Sequence, residues 1–554
     1  MKKIYVYMLA FASLFSASCA DYLDRFPTDK PSSDSFLQTA EELDLAVNNA
    51  YRTLYYMNSG CSSYLFLDAA TDIERNRSFG DGLEDVALGN HTSTTGVFGT
   101  TWNHFYTYIS RCNNILTNLD NVKGITDKQK SETKGQILFL RAFAYGELIS
   151  FFGDVPYTET MLQSVEEGKM PRTPKDEILG HILEDLKEAE SVLPSVWKGN
   201  NEGRITKWAA YALHARLALR LGKNSEAITA SKMVIDNASE SGIALHENYE
   251  DLFNVNGVRC EEVLLDVPFN LTVKTNENPL MLNPRNCNGW AIIQPTVSLI
   301  DSYECTDGQS IDESPLFDQA NPYENRDPRL SASIIHDGTW YRGVRYETHP
   351  DSLLASKVVS GVESRIKNQD VTNAYASHTG YLLRKYADYT ATDVRKCTLN
   401  FILIRYAEVL LTYAEAKLEN GEIDQSLFDA LNQVRARAGM PAITETEPVK
   451  LRALIRNERK VELAGEGLRL FDIRRWKIAE HVLPGVLPGR KKKEIWFNPG
   501  LPTFDEYGIS HYENQDNNFF PVHKRIFDPS RDYLWPIPQK EMDVNDQLVQ
   551  NPNY

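Results

Sequence analysis

Along residues 401–476 apolar side chains return at three- and four-residue steps. Leu403, Ala407, Leu410, Leu411, Ala414 and Leu418 fall on one face of a helix. Asn420-Gly421 supplies the left-handed residue that ends it. A second helix carries Leu427, Leu431, Val434 and Ala438 on its inner stripe, and Gly439-Met440-Pro441 closes it. So short a connection makes the two helices antiparallel and packed on each other. A third helical segment is predicted over Leu451–Trp476, where Arg456, Glu458, Arg459, Glu462, Glu466, Arg469 and Asp472 are set among Leu454, Ile455, Val461, Leu463, Leu468 and Phe471. Charges this dense on a half-buried helix need partners, so the pattern predicts an ion-pair network locking this segment to its neighbours. Nothing in it suggests catalysis; it reads as scaffold.

The same periodicity predicts helices over Ser35–Tyr56, Thr101–Asn121, Thr126–Phe152, Thr173–Leu193, Thr206–Leu221 and Ser225–Ser239. Thr173-Pro174 reads as a capping residue followed by proline in the first turn. The last two helices form a hairpin with Ala212, Ala215 and Ala218 before its turn, much as Ala407, Ala414 and Ala416 precede the later one. Small residues at repeated antiparallel contacts resemble tetratricopeptide units, although no regular repeat of about 34 residues is kept and a generic α-hairpin fits the pattern equally. Two stretches break the helical rhythm. One is the Gly-, Asn-, Asp- and Ser-rich loop 58–99, too long to be a mere connector. The other runs from Gly242 to Arg395, with a short strand at Glu262–Pro268 followed by clusters of Pro, Asn, Gly and aromatic residues. The expected fold is mainly α: a tetratricopeptide-like helical-hairpin scaffold with an inserted, irregular, loop-rich lobe and few short strands. The expected divisions are a leader (1–18), a tether (19–34), an N-terminal helical scaffold (35–241), the loop-rich lobe (242–400), a helical-hairpin scaffold (401–476) and a mixed C-terminal segment (477–554) whose Arg531–Pro538 packs back on the body.

The start of the chain changes the picture. Lys2-Lys3, an apolar run Ile4–Phe15 and Ser16-Ala17-Ser18 before Cys19 form a targeting segment. The run is too short for a span, which needs about 20 residues. Small residues directly before a cysteine resemble a bacterial lipobox, so Cys19 is the expected lipid-attachment site, anchored rather than spanning; an ordinary signal peptide cut near Ala17 or Ala20 is the alternative. A chain of 554 residues exceeds a single ordinary core. Its net charge of −17 argues against nucleic acid and against anionic membrane surfaces. The run Arg490-Lys491-Lys492-Lys493 is the exception and reads as a solvated loop. Beyond Cys19 six cysteines remain, without a C-x-x-C pair; Cys112 reads as a small buried hydrophobe, while Cys287 and Cys305, in loop-like sequence, are placed where they could pair.

Several pieces coincide along the chain. Tyr22-Leu23-Asp24 and Pro27 follow Cys19. Leu140-Arg141-Ala142-Phe143-Ala144-Tyr145 leads to Phe152-Gly153-Asp154-Val155-Pro156. Asn325-Arg326-Asp327-Pro328-Arg329-Leu330, Arg405-Tyr406-Ala407-Glu408 with Ala414-Glu415-Ala416, and Glu458-Arg459 through Trp476 come next, and the chain closes on Leu534-Trp535-Pro536-Ile537-Pro538 and Asn551-Pro552. In this order they resemble the SusD/RagB family of Bacteroidetes outer-membrane nutrient-binding lipoproteins, over nearly the whole chain. The resemblance implies four tetratricopeptide-like hairpins carrying a binding lobe. It also implies a lipid-anchored, surface-exposed protein, joined to the outer membrane through its acylated N-terminus and seated as a lid on a SusC-like TonB-dependent transporter. The implied ligand is an oligosaccharide, in some members a peptide. The two acidic residues Asp21 and Asp24 are a sparser export cue than the family usually has.

The matching motifs are scaffold and do not locate the ligand. A sugar presents apolar C–H faces ringed by hydroxyls, so its binder needs aromatic platforms and planar hydrogen-bonding groups. Placement in loops selects Trp290, Trp340 and Tyr341 in the inserted lobe and Asp72, Arg77 and Phe79 in the first long loop. Trp102, Trp476 and Trp535 read as packing residues. No G-x-S-x-G, H-E-x-x-H, Walker loop or G-x-G-x-x-G occurs, and the eleven histidines lack metal-ligand spacing. The expectation is a binder without catalytic residues, metal or cofactor; a helical-repeat adaptor with no small-molecule site is the competing reading.

Overall fold

The computed structural model describes residues 37–58, 60–77 and 82–554. The expected leader and tether, Cys19, the beginning of the first helix and Phe79 lie outside them. Helix α1, Ala40–Ala50, starts at Thr39, which forms a reciprocal capping box with Glu42 and turns Leu43, Ala46 and Val47 inward. Helices α2, Gly96–Asn118, α3, Asp127–Phe152, α4, Lys175–Val192, α5, Lys207–Arg220, and α6, Asn224–Asn237, each pack on the next. Thr126 and Gln129 box the start of α3, whose second half is buried on nearly every side, the ion-paired Arg141 and Glu147 lying among its apolar residues. Pro174, not Thr173, stands at the cap position of α4, with no side-chain bond to the first turn. Helix α7, Tyr406–Glu419, then lies against α6 and against α8, Gln425–Arg437. The later hairpin therefore continues the earlier array, and residues 238–405 leave it and return. Among the described residues no helix is long and apolar enough to cross a membrane.

Two details depart from the helical pattern. Leu403 belongs to a strand, because Phe401–Arg405 pairs antiparallel with Val263–Val267 before α7 begins. The third segment is also broken. Helix α9, Pro448–Glu462, is separated from α10, Arg469–Arg475, by a turn through Gly465 and Gly467. Gly467 has φ 78°, and a Cβ there would sit 2.6 Å from the Tyr64 carbonyl oxygen. The buried Asp68 carboxylate accepts from the backbone N–H groups of Gly465 (3.0 Å), Gly467 (3.2 Å) and Arg469 (3.2 Å), fixing the break.

The predicted ion-pair network is present and deeply buried. Arg405 donates to Glu466 (2.7 Å), Glu262 (2.8 Å) and Glu462 (2.6 Å). Glu462 also accepts from Arg329 (2.8 Å) and Arg437, and Arg329 reaches Asp327 and Glu458. Lys385 joins at Glu466 (2.8 Å). Arg459 and Arg475 share Asp472 and Glu415 on the far side of α9. The Asn325–Leu330 motif thus enters the fold as ion-pair scaffold.

Short strands frame the intervening region: β1, Glu74–Asn76, β2, Val263–Val267, β3, Ile293–Pro295, β4, Trp340–Tyr341, β5, Val344–Arg345, β6, Leu354–Val359, β7, Val362–Lys367, and β8, Phe401–Arg405. β4 to β7 form a four-stranded meander, β2 pairs with β8, and β1 pairs with β3. Cys112 is buried in the core as expected, but Cys287 and Cys305 are unpaired, each buried and free. Trp535 is fully buried and stacks on Phe151 at 4.1 Å, holding the C-terminal segment to the body. Trp476, by contrast, is only half-buried, its indole flanked by Arg456 and Arg475. Arg490 and Lys491 lie half-buried on a strand, Gly485–Lys491, that pairs with Phe519–Arg525, so the basic run is not simply a solvated loop.

Candidate functional site

The loop 58–99 is far from a free surface loop. Its residues 64–76 are buried, and β1 is stitched to β3 with Arg75 opposite Gln294 and Asn76 opposite Ile293. The stitch is held from behind by Arg525, a buried guanidinium that donates to the carbonyls of Thr71 and Glu74. Asp72 faces this interior. It binds Arg469 through both oxygens (2.9 and 2.8 Å), with Lys460 at 3.6 Å. Burial would raise its carboxyl, but those two cations hold it below the usual carboxylate range. Asp72 is therefore a scaffold ion and leaves the set of ligand candidates.

Arg77 and Trp290 are brought together. The Arg77 N–H donates to the Ile292 carbonyl (2.9 Å), and its guanidinium donates to the Trp290 carbonyl (2.8 Å) while lying 4.9 Å from the Tyr375 ring centre. Trp290 is 40% exposed and Tyr375 59% exposed. The Arg395 guanidinium lies 5.6 Å from the centre of the Trp290 ring. The Trp290 loop is tightly built. Gly289 lies against Asn283, where a Cβ would meet the carbonyl oxygen at 2.0 Å, and Ala291 is held at φ 54°. Left-handed backbone at a non-glycine residue costs about 1–3 kcal/mol and persists only where the surroundings impose it. Here Trp290 N–H to the Leu280 carbonyl (2.6 Å) and Arg285 to the Gly289 carbonyl (2.8 Å) impose it. Burial first, then the charges of Arg285 and Arg75, push the Arg77 guanidinium below its ordinary value, so the collar is cationic.

Trp340 and Tyr341 part company. In a strand successive side chains point to opposite faces. Trp340 is 49% exposed on the meander, opposite Arg345. Tyr341 is 3% exposed and its hydroxyl donates to Asn283 (2.7 Å), so it packs beneath the Trp290 loop instead of meeting a ligand. Tyr375, Arg285 and Arg395 were missed by sequence reasoning. Tyr375 carried the cue that selected Trp290, an aromatic residue in a polar turn, here Asn373-Ala374-Tyr375.

Exposed indole and phenol faces beside guanidinium donors can stack on and hydrogen-bond a polyhydroxylated ligand. The nearby carboxylate Asp370 is buried and engaged by the N–H groups of Arg285 (2.7 Å) and Asn286 (3.2 Å). Among the described residues one grouping has metal-ligand character, His246, Cys260 and Glu261, with donor atoms within 4.8 Å of one another. His246 there is already bonded to Glu261 (2.9 Å), and burial raises the Cys260 thiol, opposite to what a thiolate ligand requires.

An array of stacked α-hairpins presenting a loop-built aromatic surface defines a binding protein on a helical-repeat scaffold. Residues 265–554 match the model described as the SusD family, and residues 21–219 match one described as starch-binding associating with outer membrane. The chain belongs to the SusD family. It is 26% identical to a SusD-like protein of Formosa agariphila, over 100% of this chain and 98% of that one. It is 24% identical to the starch-binding protein SusD of Bacteroides thetaiotaomicron, over 59% of this chain and 62% of that one. Among solved structures, a SusD-like carbohydrate binding protein of Bacteroides fragilis superposes with TM-score 0.80 at 28% identity, covering 92% of this chain and 99% of that chain.

Proposed function

We propose that the chain is a glycan-binding lipoprotein of the cell surface, anchored to the outer membrane through acylated Cys19, which captures an oligosaccharide and delivers it to a SusC-like TonB-dependent transporter without chemically altering it. The observation that carries the reading is the exposed Trp290–Tyr375 pair bridged by Arg77, on a turn held in strained backbone. Starch and carbohydrate binding named for relatives and neighbours supports the ligand class. Stacking is sequence-tolerant and modest in energy, which suits a protein that must release what it captures. The test is incubation of the purified protein with a panel of labelled oligosaccharides. Retention without new reducing ends, weakened about tenfold in Trp290→Ala, is the expected result. Cleavage products would make the protein an enzyme, and no retention of any glycan would favour an adaptor.

A further inference from the structure

A second built site lies on the scaffold, among residues the sugar reading does not use. A cleft of about 540 Å³ opens between α5, α7, α9 and α10, within the ~300–1,000 Å³ typical of ligand pockets. Six cations line it, Lys175, Arg220, Arg456, Arg474, Arg475 and Lys477, against two carboxylates, Glu415 and Glu419. The carboxylates are already committed. Glu415 is held by Arg475 (2.6 Å) and the Trp476 indole N–H (2.6 Å), and Glu419 by Arg452 (2.6 Å). Arg220 is matched by Glu147 at 2.9 Å. Lys175, Arg456, Arg474 and Lys477 have no carboxylate within ion-pair distance among the described residues, in a chain whose net charge is −17.

Arg474 is the telling group. Its side chain is 8% exposed, lines the cleft, and leaves a buried Nη1 without a hydrogen-bond partner. Arg456, stacked 4.7 Å from the Trp476 ring, likewise has a buried Nε without one. The carboxylate nearest in influence, Asp532, is taken by Arg531 (2.6 Å) and His91 (3.3 Å). Burying a guanidinium unpaired costs several kcal/mol, so the buried Arg474, with the half-buried Arg456 beside the same open cleft, calls for an incoming anion. Lys477 is presented from left-handed backbone, φ 56°, and the first residue of α6, Asn224, lines the same cleft at a helix start without a side-chain cap.

We propose that this cleft binds a multiply charged oxyanion, a phosphate or sulfate group, with Arg474 at its floor and Arg456 at its rim. Guanidinium forks match the tetrahedral oxyanions in pairs of hydrogen bonds, and four cations without an ion-pair partner favour a dianion over a single carboxylate. Burial pushes the Arg474 guanidinium down to about 10, still charged at neutral pH. The experiment is calorimetric titration of the purified protein with sodium phosphate, sulfate and glucuronate at constant ionic strength of about 0.15 M. One-site, saturable binding of phosphate or sulfate, tighter than glucuronate, is expected. Arg474→Met and Arg456→Gln should each weaken it about tenfold or more, whereas Arg365→Gln, on the distant β7, should not. If Arg474→Met fails to fold, Arg456→Gln decides alone. No saturable binding of any probe, glucuronate binding as tightly as the dianions, or affinity untouched by the cleft substitutions overturns the proposal. None of these outcomes bears on glycan capture at Trp290.

Discussion

Arg405 offers the sharpest test of how the scaffold holds together. It is wholly buried and its guanidinium makes hydrogen bonds to Glu262, Glu462 and Glu466, with a further one to the Glu462 carbonyl (2.9 Å). Arg405→Met removes the cation and leaves the carboxylates. Around it stand Asp327, Glu262, Glu458, Glu462 and Glu466, with Arg329, Arg435, Arg437 and Lys385 remaining to neutralise them. Breaking a buried pair from one side costs about 3–5 kcal/mol. With an m-value of about 3 kcal/mol/M in urea, the unfolding midpoint should fall by about 1–1.7 M. The loss should also depend on pH in a definite direction. Burial would raise the Glu466 carboxyl, but Arg405 and Lys385 outweigh it and hold it below its ordinary 4.5; Arg437, Arg405 and Arg329 do the same, more strongly, for Glu462. A depressed carboxylate contributes stability that is complete above its unfolded value and is lost as pH falls through its folded one. The wild-type advantage should therefore be full above pH 4.5 and narrow below it, as the variant's carboxylates take up protons first. Urea unfolding followed by tryptophan fluorescence and far-UV dichroism across that range reads both numbers. Arg405→Lys, which keeps a charge but loses the fork, should fall between the two. A midpoint within about 0.3 M of wild type, or a gap that stays flat into acid, would refute the reasoning.

Other outcomes follow from the same geometry. Asp72→Asn should destabilise by about 3–5 kcal/mol through the orphaned Arg469, yet leave glycan affinity of the folded fraction unchanged; a selective loss of affinity would restore Asp72 to the site. Tyr375→Ala should weaken oligosaccharide retention about as much as Trp290→Ala, whereas Trp340→Ala, on the meander, tests whether the surface extends that far. Cys19→Ala should shift the protein from the membrane to the soluble fraction, and a variant still recovered with membranes would overturn the anchor. Thiol titration in denaturant should count all six cysteines from Cys61 to Cys397 as free, while the native protein reacts slowly, since burial raises the Cys61, Cys112, Cys287 and Cys397 thiols; disulfide-blocked thiols would contradict the structure.

The scaffold was legible because its signals are local. Leu427, Leu431 and Val434 announce a buried stripe at helical spacing, and the charge density after Leu451 announces pairing without naming the partners. The break in that segment was not, since the apolar spacing runs on through Gly465 and Gly467 and the Asp68 carboxylate that holds them lies far away in sequence. Asp72 misled for the same reason. A carboxylate in a loop rich in Gly and Asn reads as solvated, and only Arg469, 397 positions on, explains its burial. Tyr341 could have been assigned correctly, because adjacent residues in a strand cannot share a face and Trp340 already took the outer one. Trp290 and Arg77 were each chosen for their place in a loop; that they touch is a product of the β1–β3 pairing, which no local pattern encodes.

That pairing has a bearing on when the binding surface can exist during folding. Residues 74–76 wait for residues 293–295, and the carbonyls of Thr71 and Glu74 wait for Arg525. Contacts so distant in sequence close late, after the entropy of very long loops has been overcome. A chain cut short before Arg525 would have most of its helices and an unfinished Trp290–Tyr375 surface, so on the proposed function ligand capture would report on whether synthesis and folding ran to completion.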